Sequence, residues 1–256
     1  MKMRKRKKNV QQIFDPKKML LSEDSSFPVR EAYKSLRTNV MFTLPGGGSK
    51  CIGVVSANRG EGKSTVAINL AISISQANKK VIVVDCDMRL PTIAAKIGIN
   101  GKPGLSNYLA GNEDVQSSLI QHVEEYGIDV LASGDIPPDP TPLLISEQMN
   151  GLVKLLKDYY DYVILDFPPV TVVTDAVIMS GTVDGYLVVV RHGLSEFQKL
   201  KETFRQMDFS DAKVLGVVYN GKGNRSHYSK YYRKNNHYYY YYDEYYQKSP
   251  SESKSD

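Results

Sequence analysis

Apolar residues along the chain occur in short continuous runs rather than in alternation with polar ones. The runs are rich in valine and isoleucine and span residues 51–56, 81–85, 129–132, 162–166, 185–190 and 214–219. Continuous runs of this length are typical of strands that are buried on both faces, as in a parallel sheet. Helical spacing fills the intervals at residues 63–77, about 142–158, about 172–181 and 194–207. This alternation predicts a doubly wound α/β fold with a mostly parallel sheet, and a ligand site at the carboxyl ends of its strands.

The two ends of the chain lack this pattern. Residues 1–27 are polar and charged, and we expect a basic N-terminal arm that is flexible at its start. Pro28 suits the first position of a helix, and the apolar spacing after it predicts a helix over 28–42. The globular domain is then expected over 28–220. Residues 221–256 are predicted to form a flexible tyrosine-rich tail, with a further strand as the alternative because tyrosine has fair strand propensity.

Charge and tyrosine content are both unevenly distributed. The 256 residues carry a net charge of +5, but six basic side chains lie in residues 1–8, and without them 27 basic residues face 28 acidic ones. The positive charge therefore belongs to the arm and does not indicate a nucleic-acid partner. Ten of the 18 tyrosines lie in the last 29 residues. No apolar run is long enough to span a membrane, and two cysteines in apolar runs fit a reduced, cytoplasmic protein.

The segment between the first predicted strand and the following helix, residues 56–65, reads SANRGEGKST. It matches the decisive Gly-Lys-Ser half of the phosphate-loop pattern, in the strand–loop–helix context that the motif requires. Glycines let backbone N–H groups approach phosphate oxygens, Lys63 would neutralise the β and γ phosphates, and the Ser64 hydroxyl would bind Mg²⁺. The predicted nucleotide-binding residues of this loop are Asn58, Arg59, Gly60, Glu61, Gly62, Lys63, Ser64 and Thr65.

Acidic residues follow two other predicted strands. Asp85 and Asp87 come at the end of the second strand, and Asp166 ends the run at 162–166. An aspartate directly after an apolar strand is the usual second Mg²⁺ anchor of phosphate-loop enzymes. Together with Lys63 and Ser64, these acids predict a site for MgATP or MgGTP. Asn220 could offer its amide to an adenine edge, or it could simply close the turn before Gly221.

Three segments resemble the Walker A, Walker A′ and Walker B motifs of the bacterial tyrosine kinases that accompany capsule and exopolysaccharide synthesis. They are the loop at 56–65, VVDCDMR at 83–89 and LDFPP at 165–169. The segment PVREAYKSLRTN at 28–39 resembles the oligomerisation helix of that family, and the tyrosine-rich tail is its most distinctive feature. The similarity covers residues 28–246. One departure lies in the oligomerisation motif, where Lys34 replaces an arginine between Glu31 and Arg37, and lysine cannot form a bidentate pair with a carboxylate.

The resemblance implies a protein-tyrosine autokinase that uses ATP and Mg²⁺. In that scheme Asp85 is the candidate base and Lys63 stabilises the transferring phosphoryl group, while Ser64, Asp87 and Asp166 hold the metal; the division between Asp85 and Asp87 stays open. Phosphorylation would occur in trans within a ring held together through Glu31, Lys34 and Arg37. The expected phosphoacceptors are Tyr228, Tyr231, Tyr232, Tyr238, Tyr239, Tyr240, Tyr241, Tyr242, Tyr245 and Tyr246.

The same resemblance implies partners and a location. A membrane-embedded polysaccharide co-polymerase would activate the kinase at the inner face of the plasma membrane, and a tyrosine phosphatase would reset it. Two other readings remain. Partitioning and septum-placement ATPases share the three motifs, but they carry a lysine where this chain has Asn58 and lack the tyrosine tail. The second alternative function is a non-catalytic interaction module whose binding depends on the nucleotide.

Overall fold

The computed structural model describes residues 16–111 and 119–221. The fold reported below belongs to the unit that ends at Asn220. A short 3-10 turn, Pro16–Met19, comes first. The strands are β1 (Lys50–Ser56), β2 (Val81–Asp85), β3 (Ile120–Val123), β4 (Ile128–Leu131), β5 (Tyr162–Asp166), β6 (Gly185–Arg191) and β7 (Val214–Asn220). The helices are α1 (Phe27–Thr43), α2 (Lys63–Ser75), α3 (Ile93–Ile97), α4 (Leu105–Leu109), α5 (Thr141–Leu144), α6 (Glu147–Tyr159), α7 (Asp175–Ile178) and α8 (Phe197–Phe209).

The strands form one sheet in the order β3-β4-β2-β5-β1-β6-β7. All neighbouring pairs are parallel except β3 and β4, which form an antiparallel hairpin at one edge. The prediction of a doubly wound, mostly parallel α/β sheet is therefore confirmed. The sequence analysis missed β3, because its residues Ile-Gln-His-Val form no continuous apolar run and only Val123 is buried.

The apolar runs became strands because both faces of the sheet are covered by helices. Side chains alternate in direction along a strand, so neighbouring residues of β1 enter different layers. Cys51 and Val55 pack in the layer that contains α6 and α8, whereas Ile52 and Val54 pack in the layer that contains α1 and α2. A strand in this position buries every side chain, which explains why the sequence shows no polar alternation.

The helices differ from their predicted bounds where turn chemistry interrupts an apolar pattern. The predicted helix at about 142–158 is divided into α5 and α6, because the Ser146 side chain accepts a hydrogen bond from the Met149 N–H and starts a new helix. The predicted helix at about 172–181 is reduced to the single turn of α7. The sequence analysis did not predict α3 or α4, each of which has only five residues.

The N-terminal segment joins the domain earlier than expected. The predicted boundary at residue 28 leaves Leu20 and Leu21 in the arm, but both are buried against the α1–α2 layer. The Asn69 side chain on α2 fixes this segment: its Oδ1 accepts the Leu21 N–H at 2.7 Å and its Nδ2 donates to the Met19 carbonyl at 3.0 Å. Residues 16–21 therefore form a strap across α2.

Within the described residues, no helix is both long and apolar enough to cross a membrane. The predicted flexible tail lies outside the described residues from position 222 onward, and so do all ten predicted phosphoacceptor tyrosines.

Candidate functional site

The phosphate loop connects the carboxyl end of β1 to the start of α2 at Lys63. Two glycines in it adopt positive φ angles, 79° at Gly60 and 93° at Gly62. A side chain at Gly62 would also collide with the Asn220 amide. The loop therefore needs glycine at position 62, both for its backbone conformation and for the close approach of β7. The backbone N–H groups at the start of α2, together with the helix dipole, favour an anion at this position.

Glu61 stabilises the phosphate loop from its inner side. Its carboxylate is fully buried and accepts hydrogen bonds from the Asn58 N–H at 3.0 Å and from the Ser195 hydroxyl. The Glu61 carbonyl accepts the Asn220 amide at 2.9 Å. Both Glu61 and Asn220 were predicted to contact the nucleotide. The Glu61 carboxylate points away from the cavity, so this residue has only its backbone N–H to offer to a phosphate.

Lys63 faces the aspartates that follow the two neighbouring strands. Its Nζ lies 2.8 Å from Asp87 Oδ2 and 3.9 Å from Asp166 Oδ2. Asp85 and Asp166 are aligned partners at the ends of β2 and β5, which places their carboxylates at one edge of the sheet. The structure thus brings Lys63 together with all three predicted acids.

Asp85 is engaged by backbone groups. Its Oδ1 accepts the Asp87 N–H, and its Oδ2 accepts the N–H groups of Thr92 and Ile93, all at 3.2 Å. Burial, together with the negative charge of Asp166, raises the pKa of Asp85 to about 7. A carboxylate in this arrangement fixes the turn after β2 and the start of α3. It does not line the nucleotide cavity described below.

Asp166 is the least satisfied acid of the site. Both of its oxygens are buried, and neither has a hydrogen-bond partner within the part of the chain that the structure describes. Burial raises the pKa of Asp166, and the positive charge of Lys63 opposes the rise. Buried acceptors without partners are rare, and here they point toward the Ser64 and Lys63 end of the phosphate loop. They fit a hydrated Mg²⁺ ion, which retains waters and takes few ligands from the protein.

A cavity of about 310 Å³ opens above these residues. Seven of the nine predicted nucleotide-binding residues line it, together with the predicted metal ligand Asp87; the seven are Arg59, Gly60, Gly62, Lys63, Ser64, Thr65 and Asn220. The structure does not place Asn58, Glu61, Asp85 or Asp166 in its lining. The sequence analysis missed six lining residues, which are Met19, Leu90, Thr92, Lys96, Pro169 and Arg191. Arg191 ends a predicted strand and could have been found by the same rule as Asp166, whereas Met19 reaches the cavity through the strap, for which the sequence gives no signal.

The predicted oligomerisation residues separate into two environments in a single chain. Glu31 and Lys34 pair with each other on the surface of α1 at 2.7 Å. Arg37 turns toward α2, where its guanidinium donates to the Ser73 carbonyl at 2.5 Å. A cation at this position interacts favourably with the α2 dipole, whose negative end lies at the carboxyl end of the helix. Arg37 therefore has a structural contact within the domain in addition to the role predicted for it.

A parallel sheet with a phosphate loop after β1 and aspartates after the adjacent β2 and β5 defines a P-loop NTPase. A family description, "ParA: NUBPL iron-transfer P-loop NTPase", matches residues 48–242. Tyrosine-protein kinase YwqD of Bacillus subtilis is 36% identical over 197 residues, which cover 77% of this chain and 83% of YwqD. Tyrosine-protein kinase CpsD of Streptococcus agalactiae is 34% identical over 191 residues, 74% of this chain and 81% of CpsD.

A solved structure leads to the same family. The kinase domain of Escherichia coli tyrosine kinase ETK superposes with a TM-score of 0.74 at 31% identity, over 77% of each chain. The chain belongs to the bacterial tyrosine-protein kinases, within the ParA-type P-loop NTPases. The family that the three Walker-type motifs suggested is thus confirmed.

Proposed function

We propose that this tyrosine kinase transfers the γ-phosphoryl group of ATP to tyrosine hydroxyls, including those of the tyrosine-rich tail at residues 221–256. The observation that carries the proposal is the position of Lys63, which lies at the start of α2 within 2.8 Å of Asp87 and 3.9 Å of Asp166. Phosphoryl transfer depends mainly on positioning and charge stabilisation, and this arrangement supplies both.

The residues of the phosphate loop would bind the nucleotide in distinct ways. Backbone N–H groups around Gly60 and Gly62 cradle the phosphates, and Lys63 exchanges its contact with Asp87 for the terminal phosphates. Ser64, Asp87 and Asp166 hold Mg²⁺ directly or through water. Mg²⁺, when bound, neutralises charge that develops between the β- and γ-phosphates. The side-chain N–H of Asn220 already donates a hydrogen bond to the Glu61 carbonyl, so a contact with adenine would use the side-chain oxygen of Asn220.

Asp87 is better placed than Asp85 to meet the acceptor hydroxyl. A phenol has an ordinary pKa of about 10, so a nearby carboxylate assists removal of its proton. The raised pKa of Asp85 would suit a base, but both of its oxygens accept backbone N–H groups, and Asp85 does not line the nucleotide cavity. Asp87 lines the cavity; its Oδ1 accepts the Leu90 N–H, and its Oδ2 contacts Lys63, which the nucleotide phosphates would draw away. Geometry takes precedence over pKa in assigning a base. We therefore propose that Asp87 faces the substrate and that Asp85 positions the loop that carries Asp87.

Regulation would follow from the charge that phosphorylation adds. Each phosphotyrosine carries about −1.5 to −2 charges near neutral pH. Several on one tail would repel the tails of neighbouring copies and loosen a ring that forms through α1. A membrane-embedded activator of the polysaccharide machinery would hold the kinase at the inner face of the plasma membrane, and a tyrosine phosphatase would restore the unmodified tail. The exposed pair of Glu31 and Lys34 supports a contact between copies on this face of α1.

The direct test is to incubate the purified chain with MgATP and to map phosphotyrosine by mass spectrometry. We expect modified tyrosines within residues 228–246, and none in a Lys63→Met variant. Native mass measurement before and after ATP follows the ring, which is expected to dissociate as phosphate accumulates. Hydrolysis of ATP without any phosphotyrosine would contradict the proposal and would favour an ATPase of the partitioning type.

A further inference from the structure

A second cavity lies at the opposite end of the central strands. It is lined by residues at the amino ends of β1, β2 and β5 and has a volume of about 580 Å³, against about 310 Å³ for the nucleotide cavity. The two cavities share no lining residue. Small-molecule sites span roughly 300–1,000 Å³, so this space, which we call the amino-end cavity, is large enough to hold a ligand of its own.

The charge of the amino-end cavity is positive. Lys50, Lys79, Lys80 and Lys157 line it, against two aspartates, Asp158 and Asp161. Lys79 pairs with Asp161 at 3.2 Å, and Lys157 pairs with Asp184 at 2.9 Å. Among the described residues, neither Lys50 nor Lys80 has a carboxylate partner.

Asp161 offsets the charge of Lys80 only in part, because its hydrogen bonds go to other donors. Its Oδ2 accepts the Lys80 N–H at 2.8 Å and its Oδ1 accepts Lys79 Nζ. These hydrogen bonds, the backbone bond first, lower the pKa of Asp161, so it remains ionised and committed to its donors. The cavity therefore keeps cationic groups that an anion can approach.

The loop after α1 adds uncharged donors to the cavity. The N–H groups of Gly46, Gly47 and Gly48 bond to no described residue, and open space surrounds all three glycines. Gly46 and Gly48 have φ angles of 100° and 86°. The hydroxyl of the next residue, Ser49, is buried and has no partner in the described ranges. A donor-rich glycine loop beside lysines is a common way to bind phosphate oxygens.

The remaining lining is apolar and aromatic. Met41, Leu44 and Pro45 form one side of the cavity, and Tyr159 and Tyr160 form another. Tyr159 is 68% exposed, so its ring is free to stack against an incoming group. The lining thus suits a ligand with a flat apolar body and an anionic head.

We propose that the amino-end cavity binds an aryl phosphate, supplied as a phosphotyrosine of the tail at residues 221–256 of a second copy of this chain. The choice of phosphotyrosine rests on the proposed function, because tyrosine phosphorylation would create this group in copies of this chain. Phosphorylation adds about −1.5 to −2 charges and three acceptor oxygens, which match the free lysines and the glycine loop. A phosphorylated tail would then be held away from the active site.

Binding of a synthetic peptide tests this directly. A fluorescent peptide of residues 236–247 with a phosphate on Tyr240 is titrated with the full chain in the absence of ATP. A saturating non-hydrolysable ATP analogue with Mg²⁺ fills the γ-phosphate position of the nucleotide site, so product-like binding of the phosphotyrosine there is suppressed. Fluorescence anisotropy should show saturable binding that weakens as salt is added, and the unphosphorylated peptide should bind at least about tenfold more weakly.

Variants locate the site. The double variant Lys50→Glu/Lys80→Glu is expected to weaken phosphopeptide binding by about tenfold or more while leaving MgADP affinity within about twofold. Lys154→Glu is the matched control, because Lys154 is an exposed lysine of α6 outside the cavity, and it should change neither. Ser49→Ala, which keeps the charge, should weaken binding by a smaller factor. Circular dichroism confirms that each variant is folded.

Three outcomes would overturn the proposal: equal affinity for the unphosphorylated peptide, unchanged binding in the double variant, or loss of binding when the non-hydrolysable ATP analogue is added. Competition by inorganic phosphate as effective as that by phosphotyrosine would also contradict it, since the aromatic lining would then contribute nothing. The peptide is phosphorylated chemically, so this result does not depend on kinase activity. If the chain binds the peptide but makes no phosphotyrosine, the proposal of a binding site stands and the proposed kinase reaction is contradicted.

Discussion

The two ends of the three central strands β2, β5 and β1 carry opposite chemistry on one scaffold. At the carboxyl ends, Asp85, Asp87 and Asp166 are buried around a single lysine. At the amino ends, lysines lie at the surface and pair with partly exposed aspartates. Charges at the carboxyl ends lose most of their hydration, so they interact strongly and shift each other's pKa values, whereas those at the amino ends are screened by water. Burial, rather than the number of charges, separates a site that can do chemistry from one suited to reversible binding.

Removal of a charge should have its largest effect at the carboxyl ends. Asp166→Asn is expected to lower the rate of tyrosine phosphorylation by about 100-fold or more, because the metal site loses its most buried carboxylate. The same change should leave the melting temperature equal or higher, since burial and the neighbouring Asp85 disfavour the charge of Asp166 and its nearest opposite charge, Lys63, lies 3.9 Å away. Lys154→Ala, on the exposed surface of α6 and outside both cavities, is the control and should keep the rate within about twofold. A fall in stability with an unchanged rate would show that Asp166 is structural.

One cysteine lies near each end of the central strands, and both thiols should react slowly with reagents in the folded chain. Burial raises the pKa of Cys51, near the amino end of β1, to about 12, and it raises the pKa of Cys86, after β2, well above the ordinary thiol value. Since only the thiolate reacts, an aromatic disulfide reagent at pH 8 should label the folded chain at least about 100-fold more slowly than the chain in guanidinium. Fast labelling of Cys86 alone would show that the carboxyl ends open more readily than the amino ends.

Glu61 is expected to stabilise the phosphate loop and the whole domain. Glu61→Ala leaves two part-buried donors, the N–H of Asn58 and the hydroxyl of Ser195, without their acceptor, which should cost about 1–3 kcal/mol of unfolding free energy. Urea denaturation measures this loss, and Ser195→Ala, which leaves Asn58 bonded, should cost less. An unfolding free energy within error of the wild type for Glu61→Ala would show that water replaces the carboxylate.

The ion pair between Lys79 and Asp161 should have the smallest effect. Both side chains are partly exposed, at 47% and 39%. Lys79→Ala is expected to change the unfolding free energy by about 0–1 kcal/mol, because water screens the pair. Urea denaturation at low and high salt checks this. A loss as large as that of Glu61→Ala would remove the energetic distinction between the two ends.

The sequence was most informative where structure is local. Apolar runs of four to six residues predicted six of the strands, and the strand–loop–helix context located Lys63 and Ser64. The hairpin strand β3 was missed because its burial depends on pairing with β4 rather than on its own composition. The strap was missed because Asn69 reads as an ordinary polar residue of a helix until its contacts with Met19 and Leu21 are seen.

The candidate site, too, could be predicted from the sequence only in part. The residue types at the ends of β1, β2 and β5 could be read directly, but their orientations could not. Asp85 lies two residues from Asp87, yet Asp85 gives both oxygens to backbone N–H groups, whereas Asp87 gives one to the Leu90 N–H and the other to Lys63. Nothing in the spacing distinguishes the two, because the distinction comes from α3, which packs over the turn. Glu61 likewise looks like an ordinary loop residue in the sequence, but its carboxylate is a buried acceptor for Asn58 nearby and for Ser195, which is distant in the sequence.

The hydrogen bonds on the side of the phosphate loop away from the cavity affect the rate at which a nucleotide binds. Glu61, Asn58, Ser195 and Asn220 are joined before any phosphate arrives. A loop that must be ordered by its ligand spends part of the binding free energy on lost conformational entropy, and its association is slowed by the required rearrangement. Here that ordering is completed during folding. Encounter and electrostatic attraction should therefore govern the association rate, and the nucleotide's residence time should carry most of the variation in affinity among loop variants.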